Sequence, residues 1–157
     1  MKVLVTGGAG YIGSHMVRTL GECGRDEIVV LDNLSTGHRD SVLFGRFVEA
    51  DLADLEALDR LFQEERFDAV IHFAAHIVVD ESVREPLKYY RNNFSNALNL
   101  IAACVKHKVD KFIFSSTAAV YGIPDTGRVT EDSPLAPINP YGHSKRLFDH
   151  ALGVPVG

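Results

Sequence analysis

Residues 2 to 13 read Lys-Val-Leu-Val-Thr-Gly-Gly-Ala-Gly-Tyr-Ile-Gly, so the chain begins with a short apolar run that enters a turn studded with glycine. A continuous run as short as Val3, Leu4 and Val5 suits a strand covered on both faces, and such strands belong to parallel sheets. Parallel strands need a crossover, so a helix must follow. Gly7, Gly10 and Gly13 recur every three residues, and Gly8, Gly10 and Gly13 also fit Gly-x-Gly-x-x-Gly. Glycine here permits a tight bend, close backbone approach to a pyrophosphate and close packing of helix on sheet, while amides at the helix start attract the anion. Three glycines alone are weak evidence, because any tight strand-to-helix turn can use them for shape.

A chain of 157 residues fits one domain, and such a domain can bury about 70% of its extended-chain surface. With 46% apolar residues, a net charge of −5 and no block of like charge, neither nucleic acid nor an anionic membrane is an obvious partner. The apolar runs are too short to span a bilayer, and residues 1 to 5 lead into the glycine turn rather than to a cleavage site. The expectation is a cytoplasmic protein. Cys23 and Cys104 stand alone without CxxC spacing, which suggests neither a zinc site nor a disulfide framework.

Strand-like runs recur at residues 3 to 5, 28 to 31, 46 to 49, 69 to 73 and 112 to 114, with helical patterns between them. Residues 11 to 23 place Ile12, Met16, Val17 and Leu20 on one face, and residues 54 to 64 do the same with Leu55, Leu58, Leu61 and Phe62. A third and longest helix is predicted from Pro86 to about His107, carried by Leu87, Tyr90, Phe94, Leu98, Ile101 and Val105. Strand–helix alternation with right-handed crossovers predicts a Rossmann-like α/β fold: a doubly wound parallel sheet of about five strands in the order 3-2-1-4-5. One long loop, residues 117 to 140, is rich in Gly, Pro and Asp, as active-site loops often are.

The second strand ends at Asp32, about 20 residues past the glycine turn, where a carboxylate can accept from both hydroxyls of an adenosine ribose. That choice selects NAD over NADP, whose 2′-phosphate would be repelled. An ordinary turn is the competing reading of Asp32-Asn33. Asp51 follows the third strand where an adenine edge would pass, and Phe73-Ala74-Ala75 offers small residues beside the cofactor. His72 and His76 are spaced i, i+4, but the segment reads as strand then loop, so they would share no helical face and no metal site is expected.

Tyr141-Gly-His-Ser-Lys145 lies in a helix opened by Asn-Pro, which puts the phenol and the amine on one face, one turn apart. A neighbouring ammonium favours phenolate and lets a tyrosine act as a base near neutral pH. Tyr-x-x-x-Lys also occurs by chance on solvated helices. Its position after the fifth strand and after Ser115-Ser116-Thr117 strengthens the catalytic reading.

The chain resembles the extended short-chain dehydrogenase/reductase family, and within it the UDP-glucose (UDP-galactose) 4-epimerases. The resemblance rests on Thr6-Gly-Gly-Ala-Gly-Tyr-Ile-Gly13, Leu31-Asp-Asn-Leu34, His72-Phe-Ala-Ala75, Glu81-Ser-Val83, Pro86-Leu-Lys-Tyr-Tyr-Arg-Asn-Asn93, Phe114-Ser-Ser-Thr-Ala-Ala-Val-Tyr-Gly122 and Tyr141-Gly-His-Ser-Lys145. It implies NAD as cofactor, with Tyr11 and Ile12 over the pyrophosphate. Asp32, Asn33, Leu34, Ser35, Thr36 and Gly37 would surround the ribose, and Asp51 with Leu52 would flank adenine. Phe73, Ala74, Ala75 and Ser115 would line the cofactor, Asn92 would support its nicotinamide half, and Lys145 would hold that ribose. Thr117 and Tyr141 would contact the sugar 4-hydroxyl. The implied reaction interconverts UDP-glucose and UDP-galactose: Tyr141 takes the 4-hydroxyl proton, hydride passes from C4 to NAD, and the 4-keto sugar turns over before taking it back.

Residues 118 and 119 bear on the choice among relatives. Sugar-nucleotide 4,6-dehydratases follow the threonine with an Asp-Glu pair that expels water, and Ala118-Ala119 cannot supply that chemistry. Two departures from the epimerases stand out. Ile77 takes the place of a lysine near the diphosphate, and for a chain ending at residues 153 to 157 the family's sixth strand and C-terminal substrate domain are expected to be missing. Three readings follow: a UDP-hexose 4-epimerase that is weak in this short form, a non-catalytic NAD-binding remnant that dimerises, and, less favoured, a dehydratase. A homodimer is expected through the helices at 86–107 and 141–152, with Tyr89, Ala97 and Cys104 extending an apolar band wide enough to serve both the sheet and a partner.

Overall fold

The structure is a computed structural model that describes residues 1–124 and 127–153. Strands β1 (Lys2–Thr6), β2 (Glu27–Asp32), β3 (Arg46–Glu49), β4 (Ala69–His72) and β5 (Lys111–Phe114) form one sheet in the order β3-β2-β1-β4-β5. All four pairings are parallel. The register sets Thr6 opposite Leu31 on one side and His72 on the other, so three strands end level. The chain winds from β1 outward to β3 and then returns to β4, which puts the reversal of strand order beside the end of β1, where open α/β sheets bind their ligands. The Rossmann-like sheet order is the one predicted.

The chain divides into two compact units, and the first comprises Met1–Ala74 with Asn99–Ser115. Alternate strand residues serve opposite faces of its sheet. Leu4, Val29, Leu31 and Val70 pack with Leu58, Leu61 and Phe62 of α2 (Leu55–Glu65) and with Leu100, Ala103 and Cys104 of α5 (Asn96–Lys106). Val3, Val5, Ile28, Val30 and Ile71 form the other cluster with Val17 of α1 (Tyr11–Cys23). This double burial is why the strands are apolar at consecutive positions, each large side chain contributing about 1.5–3 kcal/mol. Asp54 caps α2 by accepting from the Ala57 amide at 2.9 Å. Ile12 and Leu55, expected on the buried faces, are both 59% exposed; each stands in the first turn of its helix, ahead of the buried Gly13 and Leu58.

The second unit comprises Ala75–Leu98 with Ser116–Gly157. It contains α3 (Val79–Arg84), a six-residue helix that the sequence pattern did not announce, then α4 (Pro86–Tyr90) and a π-helical segment, Arg91–Ser95, leading into α5. Helix α6 (Pro140–Ala151) starts at Asn139, whose Oδ1 accepts the Gly142 amide at 2.8 Å. It packs against α3, α4, the π segment and the 3-10 turn Ala118–Tyr121.

The predicted third helix therefore exists, and of the residues that carried its pattern Tyr90, Phe94 and Ile101 are half-buried. Tyr89, Asn93, Ala97, Leu100 and Cys104 are buried, whereas Leu87, Leu98 and Val105 are exposed. Tyr89, Ala97 and Cys104, expected to extend a band that serves both the sheet and a partner, are interior residues of their own chain. A wider π turn shifts the phase of a helix, and small side chains such as Ala97 let neighbours approach, so residue size alone does not mark the inward face. Within the 117–140 loop Asp125 and Thr126 lie outside the described residues, as do positions 154 to 157 of the terminal run. Among the described residues no helix is long and apolar enough to cross a membrane, and no three His, Cys, Asp or Glu side chains cluster as metal ligands.

Candidate functional site

In the first unit the glycine turn is built by exclusion. A Cβ on Gly7, whose φ is +72°, would lie 2.5 Å from the Ala74 amide nitrogen and 2.8 Å from the Phe73 carbonyl carbon, so the Phe73-Ala74 backbone passes directly against the turn. A Cβ on Gly13 would collide with the Gly7 carbonyl oxygen and lie 2.8 Å from Gly8 Cα. Around Gly10 there is more room, the nearest atom being the Gly7 oxygen at 3.3 Å. Gly10 is also the N-cap of α1 and carries no side chain to accept from the first-turn amides, while Tyr11 and Ile12 are exposed. A helix start of this kind is suited to an anion.

Asp32 is 7% exposed and divides its carboxylate between two backbone donors, Ala9 to Oδ2 and Leu34 to Oδ1, both at 2.9 Å. It thereby ties the end of β2 to the glycine turn. Leu34 holds a left-handed backbone, φ 55°, and Asn33 turns back to donate to Asp51 Oδ2 at 2.6 Å while its own Oδ1 accepts from the Ser35 amide. Gly37 packs against Ala9, where a Cβ would meet the Ala9 carbonyl carbon at 2.8 Å, and the His38 amide donates to the Ala9 oxygen. The residues expected around the adenosine are thus brought together, with Thr36 in the same loop. Leu52 differs: its side chain belongs to the core. Thr6 Oγ1 and His72 Nδ1 are 2.6 Å apart and buried, and the His72 ring stacks on Phe114. Nothing in the sequence singled out that pair.

The second unit gathers the proposed catalytic side chains. Tyr141 is half-buried on α6, and Lys145, one turn on, is 3% exposed. Burial pushes the Lys145 amine down to about 8, against the pull of the Asp149 charge. The ring of fully buried Tyr89 meets Tyr141 edge-on, centroids 6.4 Å apart. The Tyr89 hydroxyl lies 2.7 Å from both the Val78 oxygen and Glu81 Oε2, its one proton shared between the two acceptors, and burial pushes it up to about 12. Asn93 joins α6 to residue 76: its amide donates to the His76 oxygen at 2.9 Å and to Ser144 Oγ at 3.2 Å, and its Oδ1 accepts from the His76 amide at 2.8 Å. Asn92, the residue expected to act here, donates to Asn93 Oδ1 at 2.9 Å. Thr117 Oγ1 accepts the Ala119 amide at 3.2 Å and caps the 3-10 turn, and Ala75 and Ile77 lie at the start of this unit. Ser115, the last residue of the first unit, donates its amide to the His72 oxygen at 3.1 Å.

The sequence profile of the NAD dependent epimerase/dehydratase family matches residues 3–153. The chain belongs to that family. Among its relatives is the UDP-glucose 4-epimerase of Azospirillum brasilense, 50% identical over 152 residues, an alignment covering 96% of this chain and 43% of the relative. The UDP-Glc/GlcNAc 4-epimerase from Campylobacter jejuni superposes with a TM-score of 0.93 at 51% identity, covering 97% of this chain and 48% of that one. The UDP-glucose 4-epimerase from Brucella ovis, solved in complex with NAD, gives 0.93 at 45% identity, covering 97% and 46%. The family member described here spans less than half the length of these relatives.

For a family named for NAD, the glycine turn passes a test of fit. The positions where a Cβ would fill the turn are glycines, α1 begins with uncapped amides, and a buried carboxylate closes the loop that follows β2.

Proposed function

We propose that this chain binds NAD and carries the proton-handling residues of a UDP-hexose 4-epimerase acting on UDP-glucose and UDP-galactose. Residues 1 to 157 would serve as one cofactor-binding domain. The observation that supports this most is a lysine buried to 3% exposure one helical turn from Tyr141, in a member of a family whose near relatives bear the epimerase name. The glycine turn would hold the pyrophosphate, Asp32 would accept from the adenosine ribose, and Lys145 would donate to the nicotinamide ribose. NAD, when bound, supplies the hydride acceptor and donor for the sugar C4. Tyr141 takes the proton of the 4-hydroxyl, and the Lys145 ammonium stabilises the charge on its oxygen. Thr117 orients that hydroxyl, and water-expelling chemistry is disfavoured because Ala118 and Ala119 carry no acid or base.

Binding energy from the uridine diphosphate normally orients the reacting carbon, so residues 1 to 157 assayed by themselves should turn over weakly and saturate poorly. Ile77, where relatives are expected to place a cation, works in the same direction. A coupled assay with UDP-galactose, comparing the chain with its Tyr141→Phe variant, tests the reading. A rate that Tyr141→Phe abolishes is expected; identical background rates would leave a non-catalytic NAD-binding protein.

A further inference from the structure

Lys145 has a counter-charge on its own helix. Asp149 follows it by one turn of α6, on the same face, and is half-buried. Its Oδ2 accepts the Ser116 hydroxyl at 2.6 Å, the short distance of a hydroxyl donating to an ionised carboxylate. Ser116 stands between the end of β5 and the Thr117 cap of the 3-10 turn. One hydroxyl therefore tethers the carboxylate next to the segment that presents Thr117.

We propose that Asp149, tethered by Ser116, is a positioning residue that keeps a negative charge beside the buried Lys145 and so keeps that amine protonated for its work on Tyr141. The proposal rests on the epimerase-type roles of Tyr141 and Lys145 and adds to them the group that maintains the lysine's charge. The other charged groups on and around α6 are engaged elsewhere, exposed or half-buried. On α3 and α4, Glu81 takes hydrogen bonds from Lys88 at 2.6 Å and Tyr89 at 2.7 Å, and Lys88 holds its carboxyl below the usual range. Asp80, Arg84, Glu85 and Arg91 are exposed, and His76, Tyr90 and Tyr121 are half-buried. On α6 itself His143 and His150 are exposed and Arg146 is half-buried. The Asp149 charge raises the Lys145 amine against the effect of its burial. Half-burial pushes the Asp149 carboxyl up, while the Ser116 hydroxyl, ahead of the Lys145 charge, pulls it back.

The test reads Lys145 directly. In the full chain labelled with 13Cε-lysine, the resonance lost in Lys145→Arg identifies the residue, and its titration is followed in the wild type, Asp149→Asn, Asp149→Glu and Ser116→Ala. A midpoint lowered by about one pH unit is expected in Asp149→Asn, the order of effect of one partly screened charge at intermediate dielectric. Asp149→Glu should stay within a few tenths of the wild type, and Ser116→Ala should shift the same way as Asp149→Asn but less. Unchanged titration of the other lysines certifies the fold of each variant. An unmoved Lys145 in both Asp149→Asn and Ser116→Ala, or an equal drop in Asp149→Glu and Asp149→Asn, overturns the proposal. If the wild type shows no epimerase activity, this titration still reports the effect of Asp149, so the two readings fail separately. Where activity is present, the alkaline fall of kcat in Asp149→Asn should move down by the same interval.

Discussion

The carboxylate of Asp32 accepts the amide of Ala9 at 2.9 Å and so fastens the end of β2 to a glycine turn 23 residues earlier. Its other oxygen holds the Leu34 amide. Asp32→Ala leaves both donors without this acceptor, and each unsatisfied buried amide costs about 1–3 kcal/mol. A loss of about 2–4 kcal/mol in urea denaturation is expected, together with weaker NAD binding, and Asp32→Asn should fall between the two. Titration calorimetry on the wild type should show NAD preferred to NADP. Equal or tighter NADP binding would remove Asp32 as the ribose acceptor.

Gly13→Ala places a methyl group against the Gly7 carbonyl and 2.8 Å from Gly8 Cα, backbone atoms that cannot step aside as a side chain would. Overpacking of this kind costs about 1–3 kcal/mol. The variant should therefore melt lower and bind NAD more weakly. Gly24→Ala meets nothing within 4 Å, but at φ +64° it is strained by its backbone alone, so it should lose stability without a matching loss of cofactor affinity.

Lys145 gives a pH signature of stability. Its amine lies at about 8 in the folded protein, below its ordinary 10.5, so between these values the unfolded chain binds more protons than the folded one. The Lys145 contribution to stability therefore increases with pH across that window, by about 1.4 kcal/mol per unit, and is flat below it. Comparing wild type with Lys145→Met, the balance should move toward the wild type by about 2 kcal/mol from pH 7.5 to 10. Tyr89 and Cys104, both pushed up to about 12, oppose this gain at high pH in both proteins and cancel in the difference. A difference that stays constant with pH would contradict the low value for Lys145.

A homodimer is the expected assembly. Leu98, Ala102 and Val105 form an exposed stripe at i, i+4 and i+7 along α5, and Leu147 of α6 is also exposed. Val105→Asp should convert a dimer to a monomer in light scattering at micromolar concentration, with the far-ultraviolet spectrum unchanged. A wild-type monomer would count against the assembly.

Much of this protein is legible without coordinates because its information is local. Consecutive apolar residues such as Val3, Leu4 and Val5 require a strand buried on two faces, glycines at fixed offsets require a turn too tight for Cβ atoms, and Asn139-Pro140 starts a helix whose 3.6-residue period sets Tyr141 one turn from Lys145. The face of a helix and the partner of a polar side chain are not local. Leu87 and Val105 look more like core residues than Ala97 and Cys104, yet the first pair is exposed and the second buried, because the π turn at Arg91–Ser95 and the closeness allowed by small side chains determine which side turns inward. The pairings Thr6 with His72, Asn93 with Ser144 and Ser116 with Asp149 join residues 66, 51 and 33 positions apart. Such hydrogen bonds depend on distances that only the packed chain creates, and with them come the buried, charge-dependent setting of Lys145 and the ring contact that seats Tyr141.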